Sequence, residues 1–416
     1  MKTRYLANFK ISVLLFCTLI ASYSFICMTK NCFSAAMVFI VDEQYMTKFE
    51  TGAISAVFYI VYAALQIVGG MVTDKWHPER FIIIGFIGGG IANLLVYFFY
   101  KYYVAVLIIW ALNAVVQFGV WPATFKLITT LLHHKINMVG IAIATFANPF
   151  GVMAGFLVAA VVPRWQDNFL VSSIGLFIFA AVIFILFKKI SPYIEENETV
   201  NVEYPSSQSE SRGFLGLVIS SGLIFLMIIT FVRTMFDNGL KSLMPSMINE
   251  SYEGLSPNFS TILSIVVLIA GVLGPILAQA TYPKIFKNEV LACSVFLGAA
   301  LPFTVALTFI GEISYWAMLV CASVIVLCTS AAGLFTTSYI AARFNKWGKG
   351  ATVAGLLNCL ASLGIVATNL AFTALADSIG WQGTAVVWVI LISAVFALAI
   401  ITVPLWKKFR KNNNIV

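Results

Sequence analysis

Apolar runs of about 20 residues recur along the whole chain, and a helix of that length crosses the hydrocarbon core of a bilayer. Charges seldom interrupt these runs, because 61% of the 416 residues are hydrophobic and only 10% are charged. Soluble globular domains contain about 25% charged residues. One water-soluble core cannot take up this much apolar surface, because single cores stop growing well below this chain length. The sequence therefore predicts an all-α integral membrane protein.

The apolar runs fall into two sets of six, which predicts twelve transmembrane helices in two pseudo-symmetric halves. We place the spans near 11–41, 51–73, 81–99, 103–131, 139–162 and 169–187, and near 214–245, 259–280, 290–310, 315–342, 351–376 and 384–405. The polar stretch between the sets, rich in Ser and Glu, is predicted to be a flexible linker. The domain organisation expected is an N-terminal half, 1–187, a cytoplasmic linker, 188–213, and a C-terminal half, 214–416.

The distribution of Lys and Arg predicts the orientation. If both termini are cytoplasmic, Lys48, Lys101 and Arg164 are the only basic residues in the outer loops, and nearly all others face the cytoplasm. This bias is the expected positive-inside pattern. We therefore expect a multi-pass protein of the cell membrane, whose net charge of +8 reflects topology and needs no nucleic-acid partner.

Other classes of chemistry leave no pattern in the sequence. The seven cysteines, such as Cys17 and Cys293, lie in apolar runs and are interpreted as small buried hydrophobes. The chain contains no nucleotide-binding loop, nucleophile elbow or zinc-ligand spacing. We expect no enzyme activity, no cofactor and no metal, and a monomer whose partners are the lipid bilayer and a small molecule.

The segment GGMVTDKWHPERF, between the second and third spans, resembles the signature loop of the major facilitator superfamily. Gly70, Asp74, Lys75 and Arg80 match its pattern, while His77 stands where a glycine is usual. The resemblance implies a gating motif in which Asp74 latches the cytoplasmic side against the start of the eleventh span. The alternative interpretation is an ordinary solvated basic turn.

Further stretches resemble the organophosphate:phosphate antiporters, the glycerol-3-phosphate and hexose-phosphate carriers of that superfamily. They are TKNCFSAAM, TGAISAVFYIVYAALQIVGGMVTDKWHPERF, QFGVWPATFK and ANPFG in the first half, and GATVAGLLNCLASLG and DSIGWQG in the second. The resemblance implies the same architecture and alternating access.

The departures fall on the cations that this family uses to bind phosphate. Thr29 and Asp237 stand where the family has arginines, Gln66 replaces a lysine and Asn148 a histidine, although Lys30 matches. Phosphate recognition needs several fixed donors and net positive charge. We therefore expect this chain to share the architecture of these antiporters, but the resemblance does not predict a phosphate-ester substrate.

Four ionisable residues fall inside the predicted spans: Lys30, Arg233, Asp237 and Lys241. Such groups are costly in hydrocarbon unless they are paired or reach water. We predict that Lys30 and Asp237, on the first helix of each half, face one central cavity and pair when it is empty. The alternative is a local ladder, since Arg233, Asp237 and Lys241 are spaced four residues apart, with Lys241 reaching the outer interface. Asp237 is also the candidate carrier of a coupling proton.

Polar residues flank these charges. Tyr59, Tyr62 and Gln66 share one helical face, predicted to line a cavity or, equally, to pack against another helix. Gln117 is a weaker case of the same kind. The predicted substrate-binding set is Lys30, Asn31, Tyr59, Tyr62, Gln66, Asn148, Arg233, Asp237 and Asn238.

Together these features predict a secondary active transporter of a small organic anion or zwitterion, with a proton or a counter-anion as coupling partner. One alternative is an organophosphate/phosphate exchanger with an altered site, and another is a drug/proton antiporter. A third class is a membrane protein that does not transport, such as a sensor, a scaffold or an enzyme.

Overall fold

The computed structural model describes residues 2–6, 8–75, 77–198, 214–282, 284–311, 313–347 and 349–413. Within these ranges, the side chains at 2–5, 66–75, 129–130, 134–145, 195–198, 214–215, 345–346 and 350–352 are not described. The chain divides into two compact units, Met1–Tyr204 and Pro205–Val416. We call them the first unit and the second unit.

The described part of the first unit contains eight α-helices and a two-stranded ribbon. In chain order these are β1 (Lys2–Leu6), α1 (Phe9–Lys30), α2 (Cys32–Asp42), α3 (Lys48–Lys75), α4 (Pro78–Phe99), α5 (Tyr103–Gln117), α6 (Val120–Thr130), α7 (His134–Val161), α8 (Asp167–Ile190) and β2 (Ile194–Glu198).

The second unit contains nine α-helices in its described part. They are α9 (Phe214–Ser221), α10 (Leu223–Ser242), α11 (Met244–Ser251), α12 (Pro257–Thr281), α13 (Glu289–Ala306), α14 (Tyr315–Leu334), α15 (Ile340–Arg343), α16 (Gly350–Ala367) and α17 (Thr373–Asn412). Two π-helical turns, Phe335–Tyr339 and Thr368–Phe372, join α14 to α15 and α16 to α17.

Ten helical stretches in the described part of the chain are long and apolar enough to cross a membrane. One of them, Val353–Asn412, covers two crossings, because Gly380 has φ +71° and interrupts the helix. Phe146–Val161 is a shorter apolar helix. These stretches confirm the prediction of a multi-pass, all-α membrane protein.

The first predicted span, 11–41, is not continuous. It breaks at Asn31, which has φ −99° and ψ 5° and caps the carboxyl end of α1. The Asn31 amide nitrogen Nδ2 donates to the carbonyl oxygen of Cys27 at 2.8 Å. Lys30 is therefore the last residue of a helix, where the helix dipole favours a positive charge.

The ribbon joins the N-terminal segment to residues that follow α8. β1 and β2 are antiparallel, and their register runs from Lys2 opposite Glu198 to Leu6 opposite Ile194. Leu6 is buried in the core of the first unit, and its N–H donates to the carbonyl of Leu131 at 2.8 Å. Residues 191–198 thus form a helical turn and a strand within the segment predicted to be a flexible linker.

Glycines allow close helix contact in the first unit. A Cβ atom at Gly151 on α7 would lie 2.8 Å from Cys27 Cβ and 3.0 Å from the backbone nitrogen of Met28 on α1. The backbone of α1 cannot move aside as a flexible side chain would. Gly151 therefore allows α1 and α7 to pack closely against each other.

In the second unit, Glu289 joins the ends of several helices. Its side chain is 0% exposed; Oε1 accepts from Arg343 Nε at 2.7 Å, and Oε2 accepts from Trp406 Nε1 at 2.9 Å and Arg410 Nη1 at 3.2 Å. The Tyr282 hydroxyl also donates to Oε1 at 2.9 Å. Burial, followed by the Glu289 charge, raises the pKa of Tyr282, which keeps this donor protonated. One carboxylate therefore links α13 to α15, α17 and the residue after α12.

Gly151→Ala tests the α1–α7 contact. We expect a marked fall in the thermal unfolding temperature of the purified protein, because the added methyl group meets backbone atoms. Gly355→Ala is the matched control, since no heavy atom lies within 4 Å of its Cβ position, and it should leave the temperature unchanged or higher. Equal temperatures for both variants would contradict the packing role.

Glu289→Ala tests the carboxylate junction. Removing one partner of a buried ion pair costs about 3–5 kcal/mol, so we expect a large loss of thermal stability. The exposed Glu253→Ala serves as the control and should change stability little. A Glu289→Ala variant as stable as the control would show that the junction does not stabilise the second unit.

Candidate functional site

In the first unit, tyrosines surround the end of the Lys30 side chain. Its ammonium lies 4.6 Å from the centroid of the Tyr62 ring and 5.9 Å from that of Tyr23, and it donates to the Tyr62 hydroxyl at 3.4 Å. Aromatic faces attract a cation without neutralising it. No carboxylate pairs with Lys30 among the residues that the structure describes. Within the described residues, Lys30 is therefore a half-buried cation without a counter-ion.

Other predicted residues of this unit are less closely grouped. Tyr59 is half-buried on α3 and its ring contacts Phe58, whereas Asn148 is exposed on α7. Asn31 is engaged in the cap described above. The Gln66 side chain lies outside the described residues. Gln117 is fully buried on α5, where its Nε2 donates to Asn113 Oδ1 at 2.6 Å.

Of the predicted gating motif, only the Arg80 side chain lies within the described residues. The side chains of Gly70, Asp74 and Lys75 lie outside the described residues, although their backbone continues α3. Arg80 is exposed in the first turn of α4. The gating role of all four therefore stays a prediction.

In the second unit, Asp237 on α10 forms an ion pair with Lys241. The Lys241 ammonium donates to Asp237 Oδ2 at 2.6 Å and to the Ser330 hydroxyl on α14 at 2.9 Å. Ser330 also donates to Asp237 Oδ1, and Thr329 donates to the same oxygen at 3.3 Å. The pair follows the local four-residue spacing. Lys241 reaches back along the helix to Asp237, which is the pairing expected of the local ladder of charges spaced four residues apart.

Arg233 lies one turn before Asp237 and is 6% exposed. Its Nη1 donates to the carbonyl of Thr329 at 3.2 Å, and Nη2 donates to the hydroxyl of Thr234 at 2.7 Å. Both acceptors are neutral, so these two hydrogen bonds provide no counter-charge for the guanidinium. Asn238 is half-buried and donates to Ser242 at 3.5 Å.

Two glycines make room for these cations. A Cβ atom at Gly271 on α12 would lie 2.5 Å from Lys241 Cε, and one at Gly333 on α14 would lie 2.7 Å from Arg233 Nη1. Any larger residue would displace the charged groups. The sequence alone does not show the contact between Gly271 and Lys241, because the two residues lie on different helices.

The group formed by Arg233, Asp237, Lys241, Thr329 and Ser330, which we call the α10 cluster, has two cations and one carboxylate. It carries one net positive charge and several hydroxyl donors, a combination that suits an anion. Thr329 and Ser330 were missed from the sequence. The available signal was a pair of hydroxyl residues inside an apolar span, in VLCTSAAG.

Lys241→Met tests the ion pair of the α10 cluster. It leaves Asp237 partly buried without its cation, so we expect the free energy of unfolding to fall by about 3 kcal/mol or more. The double variant Asp237→Asn Lys241→Met should recover much of this loss, because Asn still accepts from Ser330. Chemical denaturation in detergent measures both.

Arg164→Met is the matched control for that pair. It breaks the 3.2 Å ion pair with Asp167, in which Arg164 is 69% exposed. Exposed pairs contribute little, so stability should change by less than about 1 kcal/mol. The pairing argument fails if the double variant is no more stable than Lys241→Met.

Comparison with known proteins agrees with this architecture. The chain spans only about a quarter of the curated relatives that it matches. It is 31% identical over 112 residues to the membrane sensor protein UhpC of Salmonella typhimurium, which covers 27% of this chain and 25% of that protein. It is 28% identical over 116 residues to a probable hexose phosphate transport protein of Chlamydia trachomatis, with 28% and 25% covered.

Solved structures share the fold over nearly the whole chain. A bacterial homolog of the human lysosomal transporter Spinster, inward-facing and unoccupied, superimposes with a TM-score of 0.76 at 12% identity, covering 97% of this chain and 99% of that one. The nucleoside transporter NupG gives a TM-score of 0.65 at 14% identity, with 94% and 99% covered.

The family profile extends beyond these local matches. The sequence profile of the Major Facilitator Superfamily matches residues 19–364, most of the chain. The match confirms the resemblance drawn from the loop after the second span, and it agrees with the expectation of a membrane carrier instead of an enzyme. The chain belongs to the Major Facilitator Superfamily.

Proposed function

We propose that the protein is a secondary transporter of a small organic anion, which it moves by alternating access. The observation that carries this proposal is the excess of positive charge within the spans of each unit. Lys30 has neutral tyrosine neighbours, and the α10 cluster has one more cation than carboxylate. An unneutralised cation in a membrane protein is costly unless a ligand or water meets it.

Within the first unit, Lys30 is the proposed anion-binding residue, and Tyr62 positions its ammonium. Tyr59, Asn31, Gln66 and Asn148 are the further proposed contacts. In the second unit the proposed contacts are Arg233, Asp237 and Asn238, to which the geometry adds Lys241 and Ser330.

Asp237 supports anion exchange more than proton coupling. Its two carboxylate oxygens accept from Lys241, Ser330 and Thr329, so it acts as a fixed counter-charge that orients a cation. A counter-anion is therefore the proposed coupling partner. The relatives named as hexose phosphate transport proteins support an anionic solute. Thr29 and Asp237 stand where the phosphate carriers have arginines, which favours an anion without a phosphate ester.

Counterflow in proteoliposomes tests the proposal. Purified protein is screened for saturable exchange of labelled carboxylates, sugar phosphates and zwitterionic amino acids, with and without a pH gradient. We expect exchange of an organic anion that does not need the gradient. Saturable uptake of only cationic or uncharged hydrophobic compounds would contradict it and would favour the drug/proton alternative.

Lys30→Gln should weaken the apparent affinity for the transported anion by at least about tenfold, because it removes one charge-assisted hydrogen bond. Lys30→Arg keeps the charge and should lose less. Lys101→Gln is the matched control, because Lys101 also lies over tyrosine rings, at 5.8 Å from Tyr45 and 5.7 Å from Tyr100, but outside the spans. The role of Lys30 is excluded if Lys30→Gln exchanges the anion with wild-type affinity.

A membrane sensor is the second candidate function, supported by the relatives named membrane sensor protein UhpC at 30–31% identity. A sensor binds its ligand without moving it. Anions that raise the thermal unfolding temperature yet show no exchange in the same proteoliposomes would favour this candidate over transport.

A further inference from the structure

Two exposed groups of lysines belong to the same end of the second unit. Lys407, Lys408 and Lys411 lie on the last turns of α17, and Lys284 and Lys287 lie in the loop between α12 and α13. No carboxylate pairs with any of them among the residues that the structure describes. We call these five lysines the basic surface.

Arg410 joins the two segments of the basic surface. Its Nη1 donates to the carbonyl of Lys287 at 2.5 Å, a contact between residues 123 positions apart in the chain. The same nitrogen donates to Glu289 Oε2 at 3.2 Å. Glu289 is fully buried and already pairs with two arginines, so it does not offset the charge of the exposed lysines.

Aromatic packing fixes the end of α17. Trp406 is 0% exposed and Phe409 is 3% exposed, and their rings lie 6.2 and 5.9 Å from the ring of Phe344. Helical periodicity then directs the three α17 lysines away from this packed face. The structure therefore holds them in place as a preformed group of cations.

The α17 lysines continue an apolar stripe on the same helix. Ile401 is 58% exposed and Leu405 is 40% exposed. Lys408 follows Leu405 by three residues, which places it on the same face about 4.5 Å further along the helix axis. Apolar side chains exposed along a membrane span contact acyl chains. Lys408 thus lies where the acyl region gives way to headgroups.

The loop between α12 and α13 adds an exposed apolar side chain. Ile285 stands between Lys284 and Lys287 and is 69% exposed, more than any other large hydrophobic residue in the described part of the chain. It lies outside the spans, where water would surround it in the absence of lipid. An apolar side chain among lysines is typical of a segment that rests on a membrane surface.

We propose that the basic surface binds the headgroup of an anionic phospholipid, whose acyl chains lie along the stripe formed by Ile401 and Leu405. The lysine ammonium groups donate to the phosphate oxygens. The adjoining apolar stripe favours a lipid over a soluble anion, which has no chains to place there. This inference does not depend on the transported solute.

Native mass spectrometry of the full-length protein in a neutral detergent tests the proposal. The protein is titrated with phosphatidylglycerol or with phosphatidylcholine of the same acyl chains. We expect tighter binding of phosphatidylglycerol by at least about tenfold, because each lysine beside an anionic headgroup contributes about fivefold. Equal binding of the two lipids would overturn the proposal.

The triple variant Lys407→Gln Lys408→Gln Lys411→Gln should weaken phosphatidylglycerol binding by at least about tenfold and leave phosphatidylcholine binding unchanged. Lys284→Gln Lys287→Gln tests the other segment and should also weaken phosphatidylglycerol binding selectively. Wild-type affinity in either variant would contradict a surface built from both segments. All five side chains are exposed, so the fold should tolerate these changes.

Lys48→Gln Lys101→Gln Arg164→Gln is the matched control. It removes the same three positive charges from the predicted outer loops and should keep the wild-type preference for phosphatidylglycerol. If it loses as much affinity as the α17 variant, binding follows net charge and the basic surface is not a site.

Inorganic phosphate separates a lipid from a free anion. At the concentration of the lipid it should not displace phosphatidylglycerol from the wild-type protein, because it has no acyl chains. Displacement as effective as that by unlabelled phosphatidylglycerol would overturn the assignment to a lipid.

Discussion

A charge buried within a membrane protein has to be met by another charge, a hydrogen bond, an aromatic face or water, and much of this structure follows from that requirement. The chain meets it in three ways. Glu289 has two arginines, an indole and a phenol around one carboxylate. Asp237 has one lysine and two hydroxyls. Among the described residues, Lys30 has two tyrosine rings and the carboxyl end of its own helix beside it, and no carboxylate. The hydrogen bonds and ion pairs around Glu289 hold helices together. The surroundings of Lys30 leave a cation without a counter-charge, which is why we propose that Lys30 binds the solute.

Long cationic side chains also dictate which neighbours must be small. Arg233 and Lys241 lie across the surfaces of α14 and α12, and a side chain at Gly333 or Gly271 would occupy the same space. Glycine in a membrane helix is often explained by backbone approach alone, as at Gly151. Here the same residue type serves a second purpose, since it admits a charged group between helices that are otherwise close-packed.

Features encoded locally could be predicted from the sequence. The spans follow from apolar length, and the spacing of Arg233, Asp237 and Lys241 follows from helical periodicity. That spacing cannot say which cation Asp237 selects, because both lie one turn away; the hydroxyls of Thr329 and Ser330, about 90 residues later in the chain, bias the choice. The burial of Gln117 likewise depends on which face of α5 meets Gly89. The break at Asn31 escaped prediction because the apolar runs before and after it, 11–28 and 32–41, were interpreted together as one long span.

The ribbon between β1 and β2 has a consequence for the order of synthesis. β1 leaves the ribosome before its partner strand, which follows only after α1 to α8 have been made. Pairing between segments so distant in sequence is slow and must wait for the intervening chain. Until then, the N-terminal segment has an unpaired backbone edge, although Leu6 can already reach Leu131. Closure of the ribbon therefore marks the moment at which the first unit is complete.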